Sequence, residues 1–577
     1  MRMVLPIFFH RFISPALCLT SAFSLTTVHA QQPPVDAGAM SRQIERELPT
    51  PSPLTLPTPG PTQQEMHAPK PGEASVTVTR FELKGVKLVP EDEVQAVLQR
   101  WLHKPLSFED LRAAADAVET LYRTRGYVVQ VTVPPQSVQD GVITLIVIEA
   151  KLGAVIIDMP KGESRFGADR TASYISWDNP AGQEIDLAAV SRAIAILNET
   201  PGVSVSSAME PGAQEGETHL RLALQDTPEF NLRLEANNFG SRTTGAGQRV
   251  FQGSLNNPLG YGDQLTGNGI YSMGSAYTQG GYNFPVLPNG LRASMNLSKL
   301  HYSNVGEFQL NGGIGDASIW NLGLAYPLLR SQETNANASI SVDNKSYLNR
   351  SLGTGAVSSS YRLNNLNLGL SGNRYDSFMG GAINNAQLTL VLGHLNLQPD
   401  NPANFGVQTP SQFSKLSYAV SRVQTLDPET SKLQLSLNGQ LATQNLNSAE
   451  QFYLGGPYGV RAYPVAQAGG SQGWLGSAEY QHQLPDNWTG VAFVDAGRVQ
   501  QFKNTYSGWQ GNTHADNTYA LYGTGLSLRW SRDGVSVAAT VAWKVGSNPL
   551  YNQQGLAVDV DNTSRSPRLW LTASYSL

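Results

Sequence analysis

From about residue 229 to the C-terminus, apolar and polar residues alternate one by one. The runs are about ten residues long and are divided by Gly, Asn, Ser and Asp, the pattern of a transmembrane barrel. In "KLQLSLNGQL", Leu433, Leu435, Leu437 and Leu441 alternate with Gln434, Ser436, Asn438 and Gln440. "VSVAATVAWKV" sets Val535, Val537, Val541, Trp543 and Val545 against Ser536, Thr540 and Lys544, and "RLWLTASYSL" repeats the pattern with Leu569, Leu571, Ala573, Tyr575 and Leu577. A period of two means strands with one apolar and one polar face. After Ala30 the chain has no apolar run of the length a membrane-crossing helix needs, about 18 residues. A chain that crosses a membrane without helices must do so as a closed barrel, because the hydrocarbon offers no partner to an unpaired backbone group. At about 20 residues per strand plus turn, about 16 antiparallel strands fit.

The composition points the same way. Only 15% of the residues are charged, with 55 glycines, where globular chains carry about 25% charge. A soluble array of β-sandwiches would also alternate; the low charge and an export leader weigh against it. The net charge of -5 provides no basic footprint for nucleic acid. At 577 residues more than one domain is expected.

Residues 1–30 read as a signal peptide. Arg2 and Arg11 are basic, an apolar stretch follows, and Val28-His29-Ala30 puts small residues before the expected cleavage point. An uncleaved anchor is the competing reading, although Pro15 and several Ser/Thr interrupt the stretch. The single cysteine, Cys18, lies inside it, and "PALC" is a poor lipoprotein signal. Residues 31–75 form a tether: a short helix at about 36–48, with Met40, Ile44 and Leu48 spaced by four, then a proline-rich extended linker.

Residues 76–150 have the order β-α-α-β-β. "TRFELKGVKLV" alternates as a strand, and Val94, Val97, Leu98, Trp101 and Leu102 form one helix face. Ser107 with Asp110 caps a second helix striped by Leu111, Ala115, Val118 and Tyr122. "YVVQVTV" and "VITLIVIEA" close the module. A looser copy spans 151–227, with "KLGAVIID", a helix carrying Leu187, Val190, Ile194 and Leu197, then "VSVSSAM" and "THLRLAL". The barrel is expected over 228–577.

Tandem modules of this kind ahead of a barrel resemble the POTRA-plus-barrel superfamily of protein transporters. "GYVVQVTVPPQSVQDGVITLIVIEAKLGAV" is similar to the end of a first POTRA domain in two-partner secretion transporters, and "LNETPGVSVSSAMEPGAQEGETHLRL" to their second. "NNFGSRTTG" at 237–245 resembles the family's first barrel strand and "NNPLGYGDQL" at 256–265 its next hairpin. The chain is therefore identified as a member of the FhaC/ShlB/HecB type, the haemolysin secretion/activation proteins. Two positions depart from the pattern: Glu149-Ala150 stands where Glu-Gly is usual, and Leu577 where a terminal aromatic is common, with Tyr575 two residues back.

The resemblance also assigns site residues. In "QFYLGGPYGVRAYPVAQAGG", Val460, Arg461 and Tyr463 match the family's Val-Arg-Gly-Tyr motif at the tip of a loop folded into the lumen; Ala462 replaces glycine. In "AFVDAG", Phe493 and Asp495 match a second motif on the barrel wall. The family pairing sets Arg461 against Asp495, and an arginine in a confined lumen does want a carboxylate. A solvated arginine at a surface hairpin is the plainer reading. Ala462 would cost something if its backbone needed a positive φ.

Other patterns lack context. Gly469-Gly470-Ser471-Gln472-Gly473 fits G-x-S-x-G, but without the strand-turn-helix that a nucleophile elbow requires. Asp559-Val560-Asp561-Asn562 begins like a calcium loop, without its glycine and distal glutamate. No catalytic residue, cofactor or metal site is expected. The resemblance implies an outer-membrane transporter, its N-terminal domains in the periplasm, that secretes a dedicated β-helical exoprotein carrying an N-terminal secretion domain. It also implies substrate capture by the POTRA sheet edges and grooves within 76–227, a plug role for the N-terminal helix, contact with outer-membrane lipid and use of the barrel-assembly machinery during biogenesis. Activation of the partner, a barrel-assembly insertase and a passive porin stay open as alternatives.

Overall fold

The strand Phe230–Asn237 pairs with its neighbour Gln248–Asn256 and also with the last strand, Arg568–Ser576, so sixteen antiparallel strands close into a ring without an edge. The computed structural model describes residues 36–48, 76–138, 140–160, 162–214, 216–310, 312–403, 408–507, 509–510, 516–547 and 558–577. The expected leader with Cys18, and the proline tract of 49–75, lie outside the described residues.

The alternation of the sequence becomes the inside and outside of the wall. Leu435, Leu437 and Leu441 are exposed on the outer surface while Gln440 is buried within. Val535, Val537, Trp543 and Val545 likewise face out. Aromatic residues mark both limits of this apolar coat. Trp488 lies opposite Trp530 at the end nearer the N-terminal modules, their ring centroids 6.4 Å apart. Tyr522 on the same strand and Trp474 on its neighbour's partner are exposed toward the far end. Eight residues of tilted strand separate Trp530 from Tyr522, a band about 20 Å tall. "NNFGSRTTG" is corrected by the structure: only Asn237 lies in the first barrel strand, and the rest forms the connection that follows.

Helix α1 (Ala37–Glu47), N-capped by Asp36, lies inside the barrel. Met40 and Ile44 are buried against Tyr302, Tyr347, Tyr361 and Leu363 of the inner wall, and Leu48 packs at the edge of that cluster. Gly38 marks the closest approach, since a Cβ there would come within 2.7 Å of Ser448 Oγ.

In the first module Arg80–Lys84 runs parallel to Val142–Glu149, which pairs antiparallel with Val129–Thr132. Helices α2 (Glu91–Leu98) and α3 (Phe108–Thr124) cover one face. Ser107 and Asp110 form a complete capping box at the start of α3. The Glu149 Oε1 accepts from the Lys87 and Leu88 amides, both at 2.8 Å, and from the Tyr122 hydroxyl at 3.0 Å. Burial, reinforced by that carboxylate, holds the Tyr122 hydroxyl well above the ordinary tyrosine range. Ala150 tolerates its methyl group: it is buried and donates its amide to Val128 O at 2.9 Å.

The second module repeats the sheet with Lys151–Asp158, Glu217–Asp226 and Val203–Pro211. It has two helices, α4 (Ala168–Ser176) and α5 (Leu187–Glu199), where the sequence pattern indicated only the second. The module is seated on the near end of the barrel. Arg192 Nη2 donates to Pro327 O at 2.7 Å, Arg330 Nε pairs with Glu199 at 2.7 Å, and Arg170 donates to Gly260 O. Gly262 (φ +76°) lets the turn approach, because a Cβ there would meet Thr200 Cγ2 at 2.3 Å.

Ser107→Ala removes one capping partner of α3 and should destabilise that helix by about 1 kcal/mol. Hydrogen exchange at the first amides of α3 should quicken about fivefold; unchanged exchange would mean that the box contributes nothing.

Candidate functional site

Residues 443–471 join two wall strands, Ser431–Ala442 and Gln472–Leu484, and fold into the lumen. Phe452–Tyr453 pairs with Gly469–Gly470, and this short ladder carries 454–468 as a closed tip. The Val460 amide donates to Leu454 O at 2.8 Å and the Tyr463 amide to Val460 O at 3.0 Å. Val460, Ala462 and Tyr463 are fully buried against Leu475, Phe493, Leu521 and Ala542 of the wall. The tip is therefore packed as a core, and its polar groups must find partners there.

Arg461 does so completely. Its Nε donates to Asp495 Oδ2 at 2.9 Å and its Nη2 to Asp495 Oδ1 at 2.6 Å, a two-pronged pair. Its backbone amide also donates to Asp495 Oδ2, at 3.1 Å. Nη1 reaches Glu479 at 2.5 Å, Nη2 reaches Ser477 Oγ at 3.0 Å, and the guanidinium carbon lies 3.4 Å from the centre of the Phe493 ring. Both acids come from adjacent wall strands, and strand parity turns Phe493 and Asp495 inward together. The Trp570 Nε1 donates to Arg461 O at 2.8 Å, so the final strand grips the tip as well.

Ala462 lies outside the left-handed region, so the cost expected from positive φ does not arise. Its Cβ faces Gly523, where a second Cβ would come within 2.9 Å; the wall makes room for the methyl group. Asp559 is held by Lys544 at 2.8 Å and Arg568 at 3.1 Å, and Asp561 by Arg568 at 3.1 Å. These carboxylates serve as ion-pair partners beside the loop, and the Val560 amide donates to Gln467 Oε1 at 2.8 Å. Ser471 Oγ accepts from the Leu446 amide and donates to Gln501 O, both at 3.1 Å, which makes it a structural hydroxyl.

A second buried cluster was not anticipated from the sequence. Glu450, in the lumen loop, pairs with Lys415 at 2.6 Å and Lys345 at 3.1 Å, both from the inner wall. Lys345 also lies 3.5 Å from Glu45 of α1, which pairs within its own helix with Arg42 at 2.5 Å. Arg46 donates to Tyr453 O at 2.9 Å and Tyr458 O at 2.5 Å, and Ser448 Oγ donates to Asp36 at 2.6 Å. Helix and loop are thus tied to each other inside the barrel. The available signal was a lysine on the inward parity of a strand in a chain with little charge.

Within 76–227, the strand Val203–Pro211 forms one border of its sheet and pairs only with Glu217–Asp226 among the described strands. Ser206 through Met209 are exposed along it.

Residues 216–529 match the family model described as haemolysin secretion/activation protein ShlB/FhaC/HecB, and residues 76–150 match the ShlB-type POTRA domain. The heme/hemopexin transporter protein HuxB of Haemophilus influenzae is 24% identical, over 97% of this chain and 98% of that protein. The outer membrane transporter CdiB of Escherichia coli is 25% identical, over 95% of this chain and 90% of its own. The solved structure of CdiB from Escherichia coli superposes with a TM-score of 0.67 at 19% identity, covering 93% of this chain and 96% of the other.

Arg461→Ala strands Asp495 in a packed site and should lower barrel stability by about 3–5 kcal/mol. Thermal unfolding followed by heat-modifiable gel migration reads this. Adding Asp495→Ala should cost much less than the sum of the single losses, and strict additivity would show the two to be independent. Arg461→Lys should not restore stability, since one ammonium cannot serve Asp495 at two points and Glu479 as well.

Proposed function

Because the chain belongs to the haemolysin secretion/activation family of the ShlB/FhaC/HecB type, we propose that it exports one dedicated exoprotein from the periplasm to the cell surface as a two-partner secretion transporter. The barrel lies in the bacterial outer membrane, and the POTRA modules lie in the periplasm. One observation carries the reading. An open sheet border at Val203–Pro211 belongs to a module seated on the near end of a barrel whose lumen is filled by a helix and a loop.

In this reading the unfolded partner adds a strand to that border. Main-chain pairing tolerates many side chains, so selectivity falls to the flanking grooves. The partner is a long β-helical protein with an N-terminal secretion domain. Its folding outside the cell supplies the free energy in place of ATP. The family description couples activation to secretion; here the partner gains activity by folding only after it has left the lumen.

Helix α1 acts as the plug and leaves during transport. Its departure withdraws the apolar surface of Met40 and Ile44, about 1.5–3 kcal/mol for each side chain. Arg42 and Glu45 leave as a pair; Lys345 gives up its contact with Glu45 and keeps Glu450, which Lys415 shares. The Arg461 pair with Asp495 fixes the loop tip, Val460 and Tyr463 included, in its working position.

Deleting residues 76–227 should leave the barrel in the membrane and abolish appearance of the partner outside; export at the normal level would overturn the capture role. Deleting residues 36–48 should raise ion conductance across planar bilayers several-fold, and unchanged conductance would mean that α1 is not the barrier.

A further inference from the structure

The wall strands Arg292–Ser303, Gly313–Arg330, Thr334–Ser351 and Val357–Asp376 lie side by side. Their registers arrange the outward residues in rows that run across the strands. Met295, Leu322, Val342 and Leu366 make one row, and Leu297, Trp320, Asn344 and Asn364 the next. The third row is Lys299, Ser318, Ser346 and Arg362. Leu297 is 51% exposed and Trp320 41%, so these rows are on the lipid side. The apolar coat therefore ends at Trp320, on the side away from the POTRA modules. The next step up brings two cations with two hydroxyls between them.

Among the described residues neither Lys299 nor Arg362 forms an ion pair, although Arg362 Nε donates to Ser346 Oγ at 3.2 Å. The carboxylate of the row above, Asp316, is held by His301 Nδ1 at 2.9 Å. The small residues Gly280, Ser318 and Ser346 leave a groove of about 530 Å³ against Lys299, Leu297 and Trp320. Three inter-strand steps separate the two cations, about 14 Å at the backbone.

We propose that this groove, lined by Lys299 and bordered beyond Ser346 by Arg362, binds a phosphorylated glycolipid of the outer leaflet. Its phosphates sit on Lys299 and Arg362, its sugar hydroxyls on Ser318 and Ser346, and the first acyl methylenes along Leu297 and Trp320. Charge and the adjoining apolar row select the occupant together. Cations at the limit of the apolar band meet lipid phosphates, and guanidinium binds them through parallel hydrogen bonds. The apolar row directly beneath takes the chains, which a soluble anion does not have.

The test uses the full chain in non-ionic detergent, titrated with diphosphoryl lipid A and read by native mass spectrometry. Lys299→Ala with Arg362→Ala should weaken binding by at least about tenfold, the loss expected for hydrogen bonds to charged groups. The corresponding pair of glutamine variants, closer in size, should show the same loss, and heat-modifiable migration verifies the fold of both. Lipid A stripped of phosphate should bind wild type and variants equally weakly. Arg249→Ala with Arg498→Ala, which removes outward cations elsewhere on the wall, should leave binding intact. Binding unchanged in the Lys299/Arg362 variants would overturn the site. So would an equal loss in the Arg249/Arg498 variant, which would show only diffuse attraction to a basic rim.

Discussion

Hydrocarbon offers no hydrogen bond to a peptide group, and everything else in this molecule depends on that restriction. It requires the last strand to find the first. It also forces side chains to alternate between lipid and lumen, so that each wall strand has a polar interior face whether or not a function needs one. The interior is then the part of the chain free to carry specific chemistry.

A narrow polar interior creates its own difficulty, since charge placed there is partly cut off from water. The structure answers with closed sets of partners. Arg461 is shared between Asp495, Glu479 and Ser477, Glu450 between two lysines, and Asp559 between Lys544 and Arg568. Each set joins a loop to the wall, so ion pairing fixes where the loops lie. The helix is held differently, by a small apolar patch and hydrogen bonds to loop carbonyls, and only its Glu45 reaches a wall lysine. Loops fastened by buried ion pairs and a helix fastened mostly by weaker contacts differ in what holds them to the wall.

Much of this was legible in the sequence because period-two alternation, helical stripes and the Ser107–Asp110 cap are local signals. Helix α4 was not: it starts after Gly167 without a side-chain cap, and its buried face is Thr171, Tyr174 and Ile175, a weak stripe. The Glu450 cluster was invisible for another reason. Its members lie on four segments far apart in the chain, and alternation says only that a residue faces inward, not which neighbour it meets. Arg461 and Asp495 could be matched only through family resemblance; their two-pronged geometry belongs to the fold.

The hydrogen bond from Trp570 to Arg461 joins the loop tip to the strand that closes the ring. Closure and seating are consequently linked equilibria. A loop tip cannot satisfy its Arg461 carbonyl in this way until the final strand is in place, and a strand that drifts from the seam withdraws support from the tip. Free energy invested at either place is felt at the other, in equal measure and in both directions. The tip thus acts as an internal gauge of whether the wall is complete.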